Sequence, residues 1–372
     1  MLICHYYLKM RVLLIGDPHF RKDNLDIISK VCQEILEIID LKKPDLVISL
    51  GDTLDTHERL HMPALVDATK FYIEISKRSE LVILIGNHDR QNNSDFLSPI
   101  HPFVGLESYP NITIVDTTIW DRKKNFIYVP YVPNGRFNEA LSKVDYHPYQ
   151  NGVVNVEGEH PLFIFAHQEF KDCVMGMKTS TNGDVWSNHL PQIFSGHIHG
   201  YQVLPKICYV GTFMQQNYGE DTDKALALIY LEDEIEPSVE GQIPRPKFMV
   251  DRIRLTSIPL KVTVHMNISE LPNFTSKIPS GSLVKVVVHV DATETEGLKQ
   301  NPHYLAMKNM VDKVVEKVES NRSSVAEQLV TQFKQKGSLD TKRNVFNIDE
   351  IVIAMLQDDP YTLNVFKTEI AI

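Results

Sequence analysis

Short runs of apolar residues open the chain and alternate with segments of helical periodicity. Three runs are unbroken enough to be strands buried on both faces: RVLLI at 11–15, DLVISL at 45–50 and LVILI at 81–85. Between the first two, residues 24–41 place apolar side chains three and four positions apart, which predicts an amphipathic helix that ends before Pro44. Residues 62–78 show a weaker helical pattern. The order β-α-β-α-β predicts an α/β fold with a largely parallel first sheet.

Further apolar runs follow, while helical patterns become sparse after about residue 145. These runs lie at 112–115, 125–130, 162–166, 193–196, 207–211 and 225–231. They predict a second sheet, so we expect a layered sandwich of two sheets flanked by helices.

The composition changes near residues 233–247, where an acidic, proline-rich segment predicts a domain boundary. Two alternating β-rich segments and the helical pattern HYLAMKNMVDKVVEKVESN come after it and indicate a smaller α+β accessory domain. We therefore expect a main domain at 1–245, an accessory domain at 246–325 and a helical tail at 326–372.

Composition and charge favour an intracellular protein without a membrane span. No apolar run approaches the roughly 18–20 residues that a membrane helix needs, and the first ten residues lack the features of a signal peptide. The four cysteines show no CxxC spacing, which is typical of reduced thiols. The net charge of −10 disfavours tight DNA binding by the chain alone. It does not exclude DNA as a substrate, because a carboxylate-rich metal site adds negative charge until its cations bind.

Polar side chains follow five of the apolar runs directly. They are Asp17 and His19, then Asp52, then Asn87, His88 and Asp89, then His167, and finally His197 and His199. Ligand sites of open α/β sheets form beyond the carboxyl ends of the strands, so we expect these side chains to converge. One such motif alone would most often be a turn or a pair of structural histidines, but five in order are hard to explain by structure alone.

The types of residue at these positions predict a site for two divalent cations. Imidazole, carboxylate and amide without cysteine argue against a structural zinc site and suit manganese, with magnesium, iron or zinc as alternatives. Two cations about 3.5–4 Å apart can clamp a phosphate and activate a water. Such a pair needs a bridging anion, for which Asp52 is the natural candidate.

The motif order GDPH, GD, GNHD, H and GHIH resembles the calcineurin-like metallophosphoesterase superfamily. The resemblance implies one metal held by Asp17, His19, Asp52 and His199, and a second held by Asp52, Asn87, His167 and His197. It also implies a hydroxide nucleophile. His88 corresponds to the catalytic histidine that is not a metal ligand and that protonates the leaving oxygen, and Asp89 is expected to orient it.

Three further segments are similar to the SbcD family of DNA repair and recombination nucleases: GDTLDT at 51–56, AHQEF at 166–170 and YVGTFMQQNYGED at 209–221. This resemblance implies manganese-dependent exonuclease and endonuclease activity, a homodimer in the cytoplasm or nucleoid, and an SbcC-like coiled-coil ABC-type ATPase as partner. The accessory domain would cap the DNA. The apolar stripe of NIDEIVIAMLQ in the tail fits either docking on the ATPase or packing on its own domain.

Asp55 stands where some relatives carry a second active-site histidine, and we count it among the catalytic candidates. His57 is expected to be a surface loop histidine. Candidate substrate contacts lie in loops near the motifs: Arg21, Lys22, Arg90, Lys171 and Lys178. Two alternatives stay open, namely a phosphatase or small-molecule phosphodiesterase of the same superfamily and a non-catalytic scaffold. The complete ligand set argues against the scaffold.

Overall fold

A computed structural model of the protein describes residues 9–57, 59–150, 152–155, 159–236, 243, 245–291 and 294–319. The chain divides into two compact units, Met1–Val262 and Thr263–Ile372.

The strands, in chain order, are β1 (Met10–Ile15), β2 (Leu46–Ser49), β3 (Glu80–Leu84), β4 (Ile112–Val115), β5 (Ile119–Asp121), β6 (Phe126–Val129), β7 (Tyr149–Gln150), β8 (Val153–Val154), β9 (Phe163–His167), β10 (Val174–Met175), β11 (Lys178–Thr179), β12 (Gln192–Gly196), β13 (Gln202–Leu204), β14 (Ile207–Tyr209), β15 (Leu226–Glu236), β16 (Arg245–Ile253), β17 (Lys261–Asn267), β18 (Leu283–Asp291) and β19 (Lys313–Glu319). The α-helices are α1 (Leu25–Lys42), α2 (Met62–Ser76), α3 (Phe137–Ser142), α4 (Thr295–Leu298) and α5 (Pro302–Lys308), and 3₁₀ turns lie at Lys22–Asn24, Val104–Leu106 and Ile268–Lys277.

The first sheet of the larger unit has the strand order β16-β15-β1-β2-β3-β4. Strands β1 to β4 are parallel, and β15 and β16 extend the sheet with antiparallel pairing. Helices α1 and α2 cover one face, where their apolar stripes pack against alternate strand residues such as Leu13, Val47 and Ile83. The predicted helix-and-strand alternation and the largely parallel sheet are confirmed.

The second sheet has the order β13-β14-β12-β9-β6-β5 and faces the first. Its four central strands are parallel, and both edge strands are antiparallel. The core between the sheets combines aliphatic residues of the first sheet, such as Leu14 and Ile48, with phenylalanines of the second, such as Phe163 and Phe165. Each fully buried side chain of this kind stabilises the fold by about 1.5–3 kcal/mol. The predicted two-sheet sandwich is therefore confirmed.

The boundary of the larger unit lies later than the sequence indicates. The predicted break near residue 245 is wrong, because β15 continues to Glu236 and β16 pairs beside it, with Leu231 opposite Phe248. The side chains of Phe248 and Val250 pack against the core between the sheets. The acidic, proline-rich composition belongs to a pair of edge strands, and the division between units comes after Val262.

The smaller unit contains a three-stranded sheet with the order β17-β18-β19. The single helix predicted from HYLAMKNMVDKVVEKVESN is wrong in its second half, because α5 ends at Lys308 and β19 follows. Residues of β19 pair in parallel with β18, from Lys285 opposite Lys313 onward, and β-branched valines suit such a position. The predicted tail and its apolar stripe lie outside the described residues. In the part of the chain that the structure describes, no helix is long and apolar enough to span a membrane.

Candidate metal centre and its histidines

The carboxyl ends of the central strands of both sheets meet at one edge of the sandwich. The closeness is direct: Nδ1 of His167, at the end of β9, lies 2.6 Å from the main-chain oxygen of Leu50, just after β2. Four of the predicted ligands adopt the left-handed backbone region, with φ of 34° at Asp17, 47° at His19, 49° at Asp52 and 76° at His197. Such conformations cost on the order of 1–3 kcal/mol each and cluster at functional sites.

One group of potential ligands consists of Asp17, His19 and His199, whose ligand atoms all lie within 4.8 Å of one another. The Nε2 atoms of the two imidazoles face each other at 3.0 Å. Both carboxylate oxygens of Asp17 are buried and have no hydrogen-bond partner. Buried polar atoms normally have partners, so unpaired carboxylate oxygens beside two imidazole nitrogens fit a bound cation.

A second group consists of Asp52, His167 and His197. The side-chain oxygen of Asn87 completes it, at 3.1 Å from Nε2 of His167 and 2.9 Å from Nδ1 of His197. The Oδ2 atom of Asp52 is 3.3 Å from Nε2 of His167 and 3.9 Å from Nε2 of His19 in the first group. One carboxylate oxygen therefore faces both groups, as a bridging ligand must. The structure brings all of the predicted ligands together.

Burial dominates the electrostatics of these groups. It raises the pKa of Asp17 to about 6 and lowers the pKa of His19 to about 3 and that of His197 to about 4. Burial also acts on Asp52, but His167, through its charge and hydrogen bond, together with His19 and His88, outweighs it and holds the pKa of this carboxyl well below its ordinary value. The Asp52 carboxylate in turn raises the pKa of His167 to about 9 against the effect of burial. Neutral imidazoles and ionised carboxylates are the forms that bind divalent cations, so His167 must lose its proton when a cation binds.

His88 lies at the rim of the two groups, with 32% of its side chain exposed. Its main-chain N–H donates to Oδ1 of Asp52 at 2.8 Å, and its ring Nδ1 lies 2.8 Å from the main-chain oxygen of Asp55. The opposite ring atom, Nε2, is 4.0 Å from Oδ2 of Asp52. The ring thus turns its Nε2 edge towards the carboxylate that faces both ligand groups.

Asp89 does not orient His88, so this part of the prediction is wrong. Its buried carboxylate accepts hydrogen bonds from the main-chain N–H groups of Thr53, Leu54 and Gly86. Asp89 therefore joins the loop after β2 to the end of β3. The main-chain oxygen of Asp55 takes the partner position on the His88 ring instead.

The Asp55 side chain connects the first ligand group to a basic residue. Its Oδ1 atom is 3.4 Å from Nδ1 of His19 and 3.4 Å from Nη1 of Arg21. The carboxylate is 30% exposed, so it is accessible at the rim of the site.

The sequence analysis expected His57 to be a surface loop histidine, whereas the structure places its ring against His88 at the rim of the site. The ring is partly buried and stacks on His88, with ring centroids 4.6 Å apart and an angle of 17° between the planes. Its Nδ1 atom lies 2.8 Å from the main-chain oxygen of Asn87. No spacing rule marks this histidine, because the contact forms between two loops.

Comparison with known proteins agrees with this geometry. Residues 10–201, slightly more than half of the chain, match the family model described as Calcineurin-like phosphoesterase. The chain belongs to this family. It is a metal-dependent hydrolase that acts on phosphoester bonds, and the two ligand groups are where its divalent metals would bind.

Two viral proteins are similar to this phosphoesterase over most of their length. This chain is 37% identical over 294 residues to "Putative phosphoesterase 244L" of Invertebrate iridescent virus 6. The aligned residues cover 78% of this chain and 98% of the relative. The chain is 36% identical over 245 residues to "Putative phosphoesterase 078R" of Invertebrate iridescent virus 3, covering 65% of this chain and 68% of the relative.

The segment YVGTFMQQNYGED closes one side of the phosphoesterase site. Oε1 of Glu220 is 3.3 Å from Nδ1 of His199 and raises the pKa of this histidine against the effect of burial. The side-chain amide of Gln216 donates to the main-chain oxygen of Asp17 at 3.5 Å. The main-chain oxygen of Gln216 accepts from Nη2 of Arg21 at 2.6 Å and from Nζ of Lys261 at 2.8 Å. Lys261 is a basic residue near the site that the sequence analysis missed.

The other candidate substrate contacts differ in their surroundings. Lys22, Lys171 and Lys178 are exposed, the first in the 3₁₀ turn after the GDPH motif and the last in the β10–β11 hairpin. Arg90 is only 1% exposed, and its guanidinium donates to the main-chain oxygen of Asp95 at 3.0 Å. The role of Arg90 as a substrate contact stays a prediction, and its burial and its bond to Asp95 argue against it.

Proposed function

We propose that this phosphoesterase is a manganese-dependent DNA nuclease of the SbcD type, with exonuclease and endonuclease activity in DNA repair and recombination. The observation that carries the proposal is that the segments similar to that family line the metal centre. GDTLDT supplies Asp52 and Asp55, AHQEF supplies His167, and YVGTFMQQNYGED supplies Glu220 beside His199.

The chain's own residues supply two functions in this proposal. His88 donates a proton to the oxygen that leaves when the phosphodiester bond breaks, since its Nε2 edge faces the site. Arg21 and Lys261 hold the phosphate backbone of the substrate beside the cleaved bond, because both cationic groups already meet at the Gln216 carbonyl. When bound, two divalent cations polarise the phosphate and lower the pKa of a water.

The partners in this proposal follow from charge and resemblance. A net charge of −10 gives the chain little general attraction for DNA, so an SbcC-like coiled-coil ATPase would contribute much of the DNA binding. Two copies of the chain would act as a homodimer with that ATPase, in the cytoplasm or at the nucleoid. The histidine-rich ligand set suits manganese. Magnesium, iron and zinc are the alternatives, and activity measured with each metal in turn would rank them.

The test is to incubate metal-stripped protein with manganese and end-labelled double-stranded DNA, with and without the ATPase. We expect degradation of the DNA that chelation abolishes and that His88→Ala slows by about 10²–10⁴-fold. His189→Ala, which changes an exposed loop histidine, serves as the matched control. Turnover of p-nitrophenyl phosphate while DNA stays intact in every arm would instead show a phosphatase.

A further inference from the structure

Two histidines join the loops that follow β2 and β3 in a reciprocal way. His88, in the second loop, contacts the main-chain oxygen of Asp55 in the first loop through its Nδ1 atom at 2.8 Å. His57, in the first loop, contacts the main-chain oxygen of Asn87 in the second loop through its own Nδ1 atom, also at 2.8 Å. The two rings stack face to face, 4.6 Å apart.

These two contacts fix which ring atoms carry hydrogen. A main-chain carbonyl oxygen can only accept a hydrogen bond, so Nδ1 must be the donor in both His57 and His88. The Nε2 atom of His88 is then the ring atom presented to the metal centre, 4.0 Å from Oδ2 of Asp52. A flipped His88 ring would lose the bond to Asp55 and turn a carbon edge towards the substrate.

The loops do not need His57 to stay together. Asp89 already joins them through hydrogen bonds from the main-chain N–H groups of Thr53 and Leu54, and the main-chain N–H of His88 donates to the Asp52 carboxylate. What His57 adds is a flat surface against one face of the His88 ring, whose side chain is still 32% exposed with His57 in place. Ordering an exposed side chain costs conformational entropy, and a stacked neighbour lowers that cost before the substrate binds.

We propose that His57 is a positioning residue that holds the His88 ring with its Nε2 atom aimed at the leaving oxygen. The inference rests on the proposed role of His88. In the step concerned, a water oxygen forms a bond to phosphorus while the bond from phosphorus to the leaving oxygen breaks. The reacting form of His88 is the imidazolium, which carries hydrogen on both Nδ1 and Nε2. The leaving oxygen takes the proton from Nε2, which leaves the neutral ring with its hydrogen on Nδ1. The attacking water loses a proton to solvent, and Nε2 regains one from solvent.

The test compares two phosphodiesters that are not nucleotides, bis(p-nitrophenyl) phosphate and diphenyl phosphate. p-Nitrophenolate leaves readily without a proton, whereas phenolate depends more on the acid. We expect His57→Ala to lower kcat for diphenyl phosphate by about 10–100-fold, by analogy with groups that orient metal ligands, with a much smaller effect on bis(p-nitrophenyl) phosphate. KM should stay unchanged for both, because His57 acts through His88. An equal loss on both substrates would overturn the inference.

A double-mutant cycle separates positioning from a structural role. We expect His57→Ala to cause no further loss when it is added to His88→Ala, because the ring that it positions is gone. Independent, multiplying losses would refute the inference while leaving the proposed role of His88 intact. If His88→Ala alone hydrolyses diphenyl phosphate at the wild-type rate, His88 is not the acid. Both the proposed role of His88 and the inference about His57 would then be wrong.

A second variant and an NMR measurement distinguish loss of positioning from misfolding of the His57→Ala protein. His57→Phe keeps a flat ring for stacking but loses the Nδ1 donor, so it should retain more activity than His57→Ala on diphenyl phosphate. Less activity in the phenylalanine variant, at an unchanged melting temperature, would refute the role of stacking. In the metal-free protein, ¹⁵N NMR of the histidines should show Nδ1-protonated His88 in wild type and a mixture of tautomers in His57→Ala. An unchanged His88 spectrum would also contradict the proposal.

Discussion

Single residues at the strand ends decide whether the metal ligands can approach one another. Gly196 ends β12, directly before His197, and a Cβ atom there would overlap the main-chain oxygen of Leu50 and a carboxylate oxygen of Asp17. The same Cβ atom would lie 3.0 Å from Nδ1 of His167. The close packing of the two sheets therefore requires a residue without a side chain at position 196. A larger residue there would push Asp17 and His167 apart.

Gly196→Ala should therefore damage the centre without adding or removing a charged group. A displacement of about 1 Å in an active site can cost about 100-fold in rate, and we expect a loss of that size in kcat/KM together with weaker manganese binding in calorimetry. Gly105→Ala is the matched control, since a Cβ there meets no atom within 4 Å. Equal manganese affinity in the two variants would show that the close approach is not needed.

At the scale of elements, strand β16 shows how far the first sheet extends. Phe248 packs edge-to-face on Phe163, with ring centroids 5.1 Å apart, and on Phe194 at 5.8 Å. Both partners belong to the second sheet, so this strand supports the sandwich from residues that the sequence analysis assigned to the accessory domain.

Phe248→Ala should lower the free energy of unfolding of the larger unit by about 2–3 kcal/mol, below the full range for a phenylalanine in a core because the ring is only partly buried. Met249→Ala is the control: this side chain is 65% exposed on the neighbouring position of the same strand, and its loss should change the stability by less than about 0.5 kcal/mol. Denaturant unfolding of both variants gives the comparison. Similar values for the two would mean that β16 does not support the core.

At the scale of the whole molecule, the net negative charge of the chain is linked to metal binding at the centre. The chain carries a net charge of −10, and the carboxylates of the centre are buried. Divalent cations would offset part of this charge where it is least solvated, so metal binding and folding stability should be coupled.

Metal removal tests this coupling. For each site, manganese at 100 times its Kd should raise the free energy of unfolding by about 2.7 kcal/mol over the chelated protein. Asp52→Asn should lose most of this gain, because its carboxylate faces both ligand groups. Asp145→Asn removes the same charge at an exposed position and should keep the gain. Thermal unfolding at a series of manganese concentrations measures the stabilisation of both variants. An equal stabilisation of Asp52→Asn and Asp145→Asn would contradict the role of Asp52 as a ligand shared by both groups.

The sequence by itself determined the sandwich and the convergence of the predicted ligands at one edge of it. Asp17, Asp52, Asn87 and His167 each come directly after, or at the end of, a buried strand, and parallel strands place their carboxyl ends at one edge. Local patterns were therefore enough, because the strand that precedes each ligand also fixes where that ligand lies.

Only the tertiary structure decided the surroundings of those ligands. The stacking of His57 on His88, the hydrogen bonds from the loop after β2 to Asp89 and the approach of Lys261 to Gln216 all join residues far apart in sequence. The strand β19 forms where local propensity indicated a helix, because pairing with β18 outweighs that propensity. Contacts of this kind leave no periodic signal, since they depend on which loops and strand edges the fold brings side by side.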